Sequence, residues 1–356
     1  MIHLASPTLL VPAYLANRPR AWRHVDAAAD TSLEGISNGI RQIEERFPGS
    51  VPNLHTIDDI FITSDYSGPR RDSSTKYEVF SYLLFSYPHA EQWQSRRLAL
   101  RKASLGNRSV SFKGLNDRIK RAALPEFLAA ADSIPGLLIT FAVSKTHRSL
   151  FHRGGRIDMR EPDLEQYRHW NADAFEKLLR VVHFLTFLVA GLSTEGQRII
   201  WYTDEDDIAP NSNREDRSRT RELGAIWTKV ISHYLPHRIR QVVLGTEKDD
   251  EPTKSLSDLI AIPDLACGAW CEFLTGVPAG DFINAAPTID VTLPRLSDRA
   301  LTLLAWFVRE DQPLRRLLCV IDEPLPENKL AYMCSAPATL TGFKKKIEAH
   351  LAKGAA

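Results

Sequence analysis

The stretch Asp59-Ile60-Phe61-Ile62-Thr63-Ser64-Asp65-Tyr66-Ser67-Gly68-Pro69 decides how the chain is read. Its branched and aromatic residues predict a short buried strand, and Tyr66-Ser67-Gly68-Pro69 breaks it. Asp65 therefore leaves a sheet where the chain opens toward solvent. Working outward, Tyr77 to Ser86 and Gly136 to Ser144 read as strands, the second covered on both faces because it is almost continuously apolar. Ser109 to Lys113 alternates like a further strand, and Gln197 to Tyr202 and Arg238 to Leu244 complete the set. Helical spacing runs through Gly35 to Phe47, opened by Thr31-Ser32-Leu33-Glu34, and through Asp117 to Ser133, Ala172 to Leu192 and Asp216 to Tyr234. It recurs in Leu259 to Leu274, Ser297 to Arg309 and Thr341 to Ala352, with Pro263 expected to start the first of these afresh. Arg96 to Gly106 is a loop or short helix, and Lys145 to Tyr167 is a polar excursion. The order predicts an α/β protein with helices packed on a mixed sheet.

The composition suits a protein that buries a real core: 356 residues, 44% hydrophobic and 25% charged. Forty-five basic against 44 acidic residues leave a net charge of +1. That balance excludes a polybasic coating that binds nucleic acid by charge alone, but not a local basic groove. Four cysteines, Cys267, Cys271, Cys319 and Cys334, show no zinc spacing and read as buried free thiols in a reducing compartment. The first 20 residues lack the pattern of a secretory signal. The apolar run Leu178 to Leu192 is interrupted by Arg180 and His183 and is too short to span a bilayer. A cytoplasmic location is expected.

Three acids adjoin predicted sheet elements. Asp65 ends the first strand, and its plainer reading is a turn cap. Asp204 is the first acid off the strand that ends at Tyr202, within Thr203-Asp204-Glu205-Asp206-Asp207, most of which reads as a solvated loop. Asp264 lies among small and apolar residues in Ile260 to Ala269, where an isolated carboxylate would be desolvated and driven neutral unless a metal or partner relieved it. Its milder explanation is an acid in a helix's first turn. Magnesium and manganese prefer such oxygen ligands, and a carboxylate cluster holding them is suited to phosphodiester hydrolysis.

In order and approximate spacing these segments resemble the ribonuclease H-like DUF3800 family. The carrying motifs are Asp65-Tyr66-Ser67-Gly68, the apolar Tyr77 to Ser86, Phe112-Lys113-Gly114, Gly136 to Lys145, and Ile260-Ala-Ile-Pro-Asp264-Leu-Ala-Cys-Gly-Ala269. The resemblance covers about residues 57 to 275. It implies a ribonuclease H-like core over 56–280, between an N-terminal helical extension (1–55) and a mainly helical C-terminal one (281–356). It implies Asp65, Asp204 and Asp264 as ligands of magnesium or manganese, and Lys113 as a group that orients a carboxylate or meets the scissile phosphate. Two departures stand out: Tyr66 occupies a position where the family often has Glu, and a fourth acid is not obvious, Glu205, Asp207 or Asp258 being the choices.

No phosphate-loop, zincin or elbow-serine motif occurs. The basic loop Lys145 to Arg156, with His147, Phe151 and His152, reads as a solvated loop or as a nucleic-acid contact. Arg214, Arg217, Arg219 and Arg221 read as ion pairs on a helix, and His233 and His237 as non-ligands. The expectation is a metal-dependent nuclease acting on RNA, DNA or a hybrid. The alternative is a non-catalytic ribonuclease H-like interaction subunit of a prokaryotic defence or mobile-element system, with a protein partner or a second copy.

Overall fold

The computed structural model describes residues 20–26, 31–68, 72, 74–146, 157–204, 208, 218–247, 253–277, 292–322 and 331–354. The basic loop at 147–156, the acids at 205–207 and the arginines at 214 and 217 lie outside them.

Seven strands form one mixed sheet: β1 (Asp59–Ser67), β2 (Tyr77–Phe85), β3 (Gly136–Ser144), β4 (Arg198–Thr203), β5 (Gln241–Thr246), β6 (Leu314–Asp322) and β7 (Ala331–Ser335). Their order is β5-β4-β1-β2-β3-β6-β7. β1, β2 and β3 form an antiparallel meander, β4 and β5 run parallel to β1, β6 runs parallel to β3, and β7 turns back along β6. The chain is thus the mixed-sheet α/β protein that its pattern predicts.

Side chains alternate across each strand, so each central strand feeds two cores. Ile60, Ile62, Phe80, Tyr82 and Leu84 face α1 (Thr31–Arg46), α4 (Ala172–Leu192) and α5 (Ser218–Tyr234). Phe61, Val79, Leu83 and Phe85 face α2 (Glu91–Leu100), α3 (Arg118–Ala131), α6 (Ser255–Gly276), α7 (Asp298–Phe307) and α8 (Thr341–Gly354). α6 is long and apolar enough to cross a membrane, but 78% of its most apolar window is buried inside the protein.

Three sequence readings need correction. β1 does not stop at Asp65 but runs on through Tyr66 to Ser67, so Asp65 is a buried residue paired with Ser81 inside the strand. Ser109 to Lys113 is not a strand. It runs into a 3-10 turn, Lys113–Asn116, that leads to α3, whose first N–H groups are capped by Asp117. α6 does not restart at Pro263 but passes through it from Ser255. Beside the two helices expected there, the C-terminal region supplies β6 and β7, and β6 pairs with β3, so the sheet continues past residue 280.

Candidate functional site

The parallel register of β1, β4 and β5 builds the site. Ser64 stands opposite Thr203, and Thr203 opposite Thr246. One position further along, the same row holds Asp65, Asp204 and Glu247. The Asp204 N–H donates to the Ser64 carbonyl at 3.2 Å, carrying the ladder one residue past β4.

Alternation fixes which face the three acids share. The Thr203 and Tyr66 hydroxyls meet at 3.0 Å on one side of the sheet, while the Tyr202 ring stacks on Phe61, with centroids 5.4 Å apart, on the other. Asp204 follows Tyr202 by two residues and so takes the Phe61 side, the side of α6. Asp65 shares it with Phe61 and Thr63. Glu247 reaches the same side, where its Oε2 accepts a hydrogen bond from Ser257 Oγ of α6 at 3.3 Å.

The apparent defect in α6 seats this helix. Pro263 has no N–H, so the Leu259 carbonyl loses its helical partner. The buried Thr63 hydroxyl of β1 donates to that carbonyl at 3.1 Å. One turn beyond Pro263, the Cys267 thiol donates to the Asp65 carbonyl at 3.0 Å. Asp264 lies between these two anchors, on the helix that crosses the acidic row.

The Asp264 carboxylate is held from a third direction. Its Oδ2 accepts from the Phe112 N–H at 2.5 Å. Phe112 reaches it because residue 268 is glycine: a Cβ there would stand 2.2 Å from the Phe112 ring. The Arg299 guanidinium caps the other face of this arrangement, 4.4 Å from the Phe112 ring centroid, and donates to the Phe112 carbonyl at 3.3 Å and to Asn116 at 3.2 Å. Lys113, exposed, comes next in the chain. The turn that follows β1 has its own steric requirement. Gly68 takes φ +73°, and a Cβ there would stand 2.2 Å from the Tyr77 carbonyl oxygen.

Electrostatics bind these pieces into one site. Desolvation pushes the Asp264 carboxyl up to about 6, and the negative charges of Asp204 and Glu247 push the same way. The Phe112 N–H and the Lys113 ammonium pull it back. Burial raises the Cys267 thiol well above its ordinary value, and the fields of Asp65 and Asp264 add to that rise. Asp65 is buried, Asp204, Glu247 and Asp264 are half-buried, and the carboxylates thus concentrate negative charge at one end of the α6 face.

The structure therefore brings Asp65, Asp204, Asp264 and Lys113 to one region. Among the described residues, no group of three or more His, Cys, Asp or Glu side chains has the geometry to hold a metal ion as it stands. The donor chemistry, all carboxylate oxygen, fits a hard divalent cation. Asp258 is not the fourth acid. It is buried, accepting from Arg97 at 3.0 Å and from Arg101 at 2.6 Å on each oxygen. Glu205 and Asp207 lie outside the described residues. The acid that sequence reasoning missed is Glu247. The signal was present: with its strand extended from Leu244 to Thr246, Glu247 becomes the first acid off that strand, the rule that singled out Asp204.

Among the remaining polar residues, Arg219 pairs with Glu222 at 3.6 Å on α5, and His237 bonds Arg23 at 2.7 Å and Ser193 at 2.9 Å. Comparison with models of protein families finds no match, and neither does comparison with curated proteins.

Proposed function

We propose that this chain is a divalent-metal-dependent nuclease whose carboxylates Asp65, Asp204, Glu247 and Asp264 hold magnesium or manganese. The observation that carries the reading is the row of three acids on three neighbouring parallel strands, Asp65 within β1 and Asp204 and Glu247 just past β4 and β5, crossed by a helix whose own acid is driven toward neutrality. A carboxyl with a pKa near 6 and negative neighbours is costly to ionise without a counter-ion, and a bound cation would relieve that repulsion. The ion would supply activation of water and stabilisation of charge on the leaving oxygen. The protein's own groups do the positioning. Phe112 N–H fixes the Asp264 carboxylate, Ser257 steadies Glu247, and the exposed Lys113, whose positive charge acts on Asp264, would meet a phosphate oxygen. The substrate is a nucleic acid, and the location is cytoplasmic. The likeness of the quoted motifs to the ribonuclease H-like DUF3800 family supports the same conclusion.

A second reading, a non-catalytic interaction subunit that keeps the fold, is favoured by one observation. The described acids share a face without forming a ready-made ligand set, and Tyr66 binds Ser64 and Thr203 on the opposite side of the sheet. Cleavage of labelled single- and double-stranded RNA, DNA and hybrid, in magnesium, manganese or EDTA, separates the two. Metal-dependent cutting by the wild type that Asp65→Asn and Asp204→Asn abolish supports the nuclease. Folded protein that cuts none of these substrates overturns it.

A further inference from the structure

We propose that Cys334 and Cys319 form a reversible disulfide when the protein meets a peroxide. The two residues face each other directly across the antiparallel pair β6–β7, and their sulfurs are 3.6 Å apart. Opposed residues on antiparallel strands have Cα atoms about 4.5–5.5 Å apart. That separation falls within the roughly 4.4–6.8 Å that a disulfide spans. The backbone already has the geometry, and only a side-chain rotation separates the two thiols from a bond.

The two thiols differ in access. Cys319 is fully buried on β6. Cys334 lies on β7, the last strand of the sheet, and lines a cavity of about 350 Å³ between α1 and β7, along with Gly35, Gln42, Phe47 and Tyr332. Helix α1 approaches this strand through two glycines one turn apart. A Cβ at Gly35 would strike the Tyr332 ring at 2.1 Å, and one at Gly39 would stand 2.9 Å from the Cys334 sulfur. The cavity leads a small oxidant to Cys334, whereas Cys319 is fully buried. Burial also raises the Cys319 thiol well above its ordinary value, which keeps it protonated and assigns the first step to Cys334.

The chemistry balances with hydrogen peroxide as the oxidant. The Cys334 sulfur attacks the O–O bond, giving a sulfenic acid and hydroxide, and the hydroxide takes up the thiol proton as water. The Cys319 sulfur then attacks the Cys334 sulfur: the S–S bond forms, the S–O bond breaks, and the hydroxyl departs with the Cys319 proton as a second water. Two thiols lose two electrons and the peroxide gains them. The proximity of Cys319 diverts Cys334 from further oxidation. Neither residue belongs to the acidic row, so the inference does not depend on the proposed nuclease activity.

The test treats folded full-length protein with a small excess of hydrogen peroxide, quenches with an alkylating agent, and maps the cysteines by non-reducing digestion and mass spectrometry. The expected result is a drop from four free thiols to two, a mass loss of about 2 Da, and a single cross-linked peptide pair joining Cys319 to Cys334. Dithiothreitol should reverse it. Cys334→Ser should block the cross-link, while Cys271→Ala should leave it intact. Wild-type mapping stands by itself if a cysteine variant fails to fold. Three outcomes overturn the proposal: four thiols surviving a treatment that oxidises free dithiothreitol, sulfinic acid at Cys334 without a cross-link, or a bond between other cysteines.

Discussion

Replacing Asp264 by Asn should make the metal-free protein more stable at neutral and alkaline pH. The Asp264 carboxyl titrates near 6 in the folded protein against 3.8 when unperturbed. A group whose pKa is raised on folding favours the folded state while it is protonated. Its contribution is complete below about pH 4 and is lost as the pH climbs through 6. A difference of about two pKa units, at about 1.36 kcal/mol each, amounts to roughly 3 kcal/mol. Asn keeps an oxygen to accept the Phe112 N–H but carries no charge. In EDTA at pH 8, denaturant unfolding should therefore find Asp264→Asn about 2–3 kcal/mol more stable than the wild type. Near pH 4 the two should converge. A variant less stable than the wild type at pH 8, or a difference that does not change with pH, would refute the reasoning. Added manganese should narrow the gap at pH 8 by stabilising the wild type more than the variant.

Three further outcomes follow from the packing around this site. Thr63→Val removes the donor to the Leu259 carbonyl while keeping the shape, and should cost about 1–3 kcal/mol in unfolding free energy because that carbonyl is left buried and unpaired. Asp258→Ala strips both buried guanidiniums, Arg97 and Arg101, of their carboxylate and should destabilise by about 3–5 kcal/mol, measured by thermal and chemical unfolding. Gly268→Ala drives a methyl into the Phe112 ring and should lower stability by about 1–3 kcal/mol. Because Phe112 also holds Asp264, the same variant should lower metal-dependent cleavage even where the fold survives, read from the rate per folded molecule.

Asp204 was legible because it follows a short apolar strand at once, and strand alternation and strand exit are local signals. Asp65 was legible from the apolar run Ile60 to Ile62 just before it, although β1 continues past it to Ser67. Glu247 escaped because β5 is half-exposed at the sheet edge, and the strand reads from the sequence as ending at Leu244, two residues short of Thr246. Ser109 to Lys113 misled for the opposite reason. Val110 and Phe112 do pack inward, but they do so from a turn braced by Asp264 and Arg299, partners more than 150 residues away in sequence. Pro263 looked like a helix boundary because its missing bond is made good by Thr63, a residue of another element. β6 was not read as a strand despite its apolar run Leu317 to Ile321; the Arg316 that precedes this run is itself buried, paired with Asp132 and lying 4.5 Å from the Trp306 ring centroid. In each case the compensating partner is distant in the chain, and no local pattern contains it.

The most direct test of the account is manganese binding to the purified protein, followed by calorimetry and by the electron paramagnetic resonance of the free ion. The account predicts saturable, EDTA-reversible binding by the wild type that weakens at least about tenfold in Asp264→Asn and in Glu247→Gln. Equal binding by all three proteins, or none by the folded wild type, would contradict the assignment of this carboxylate row as a metal centre.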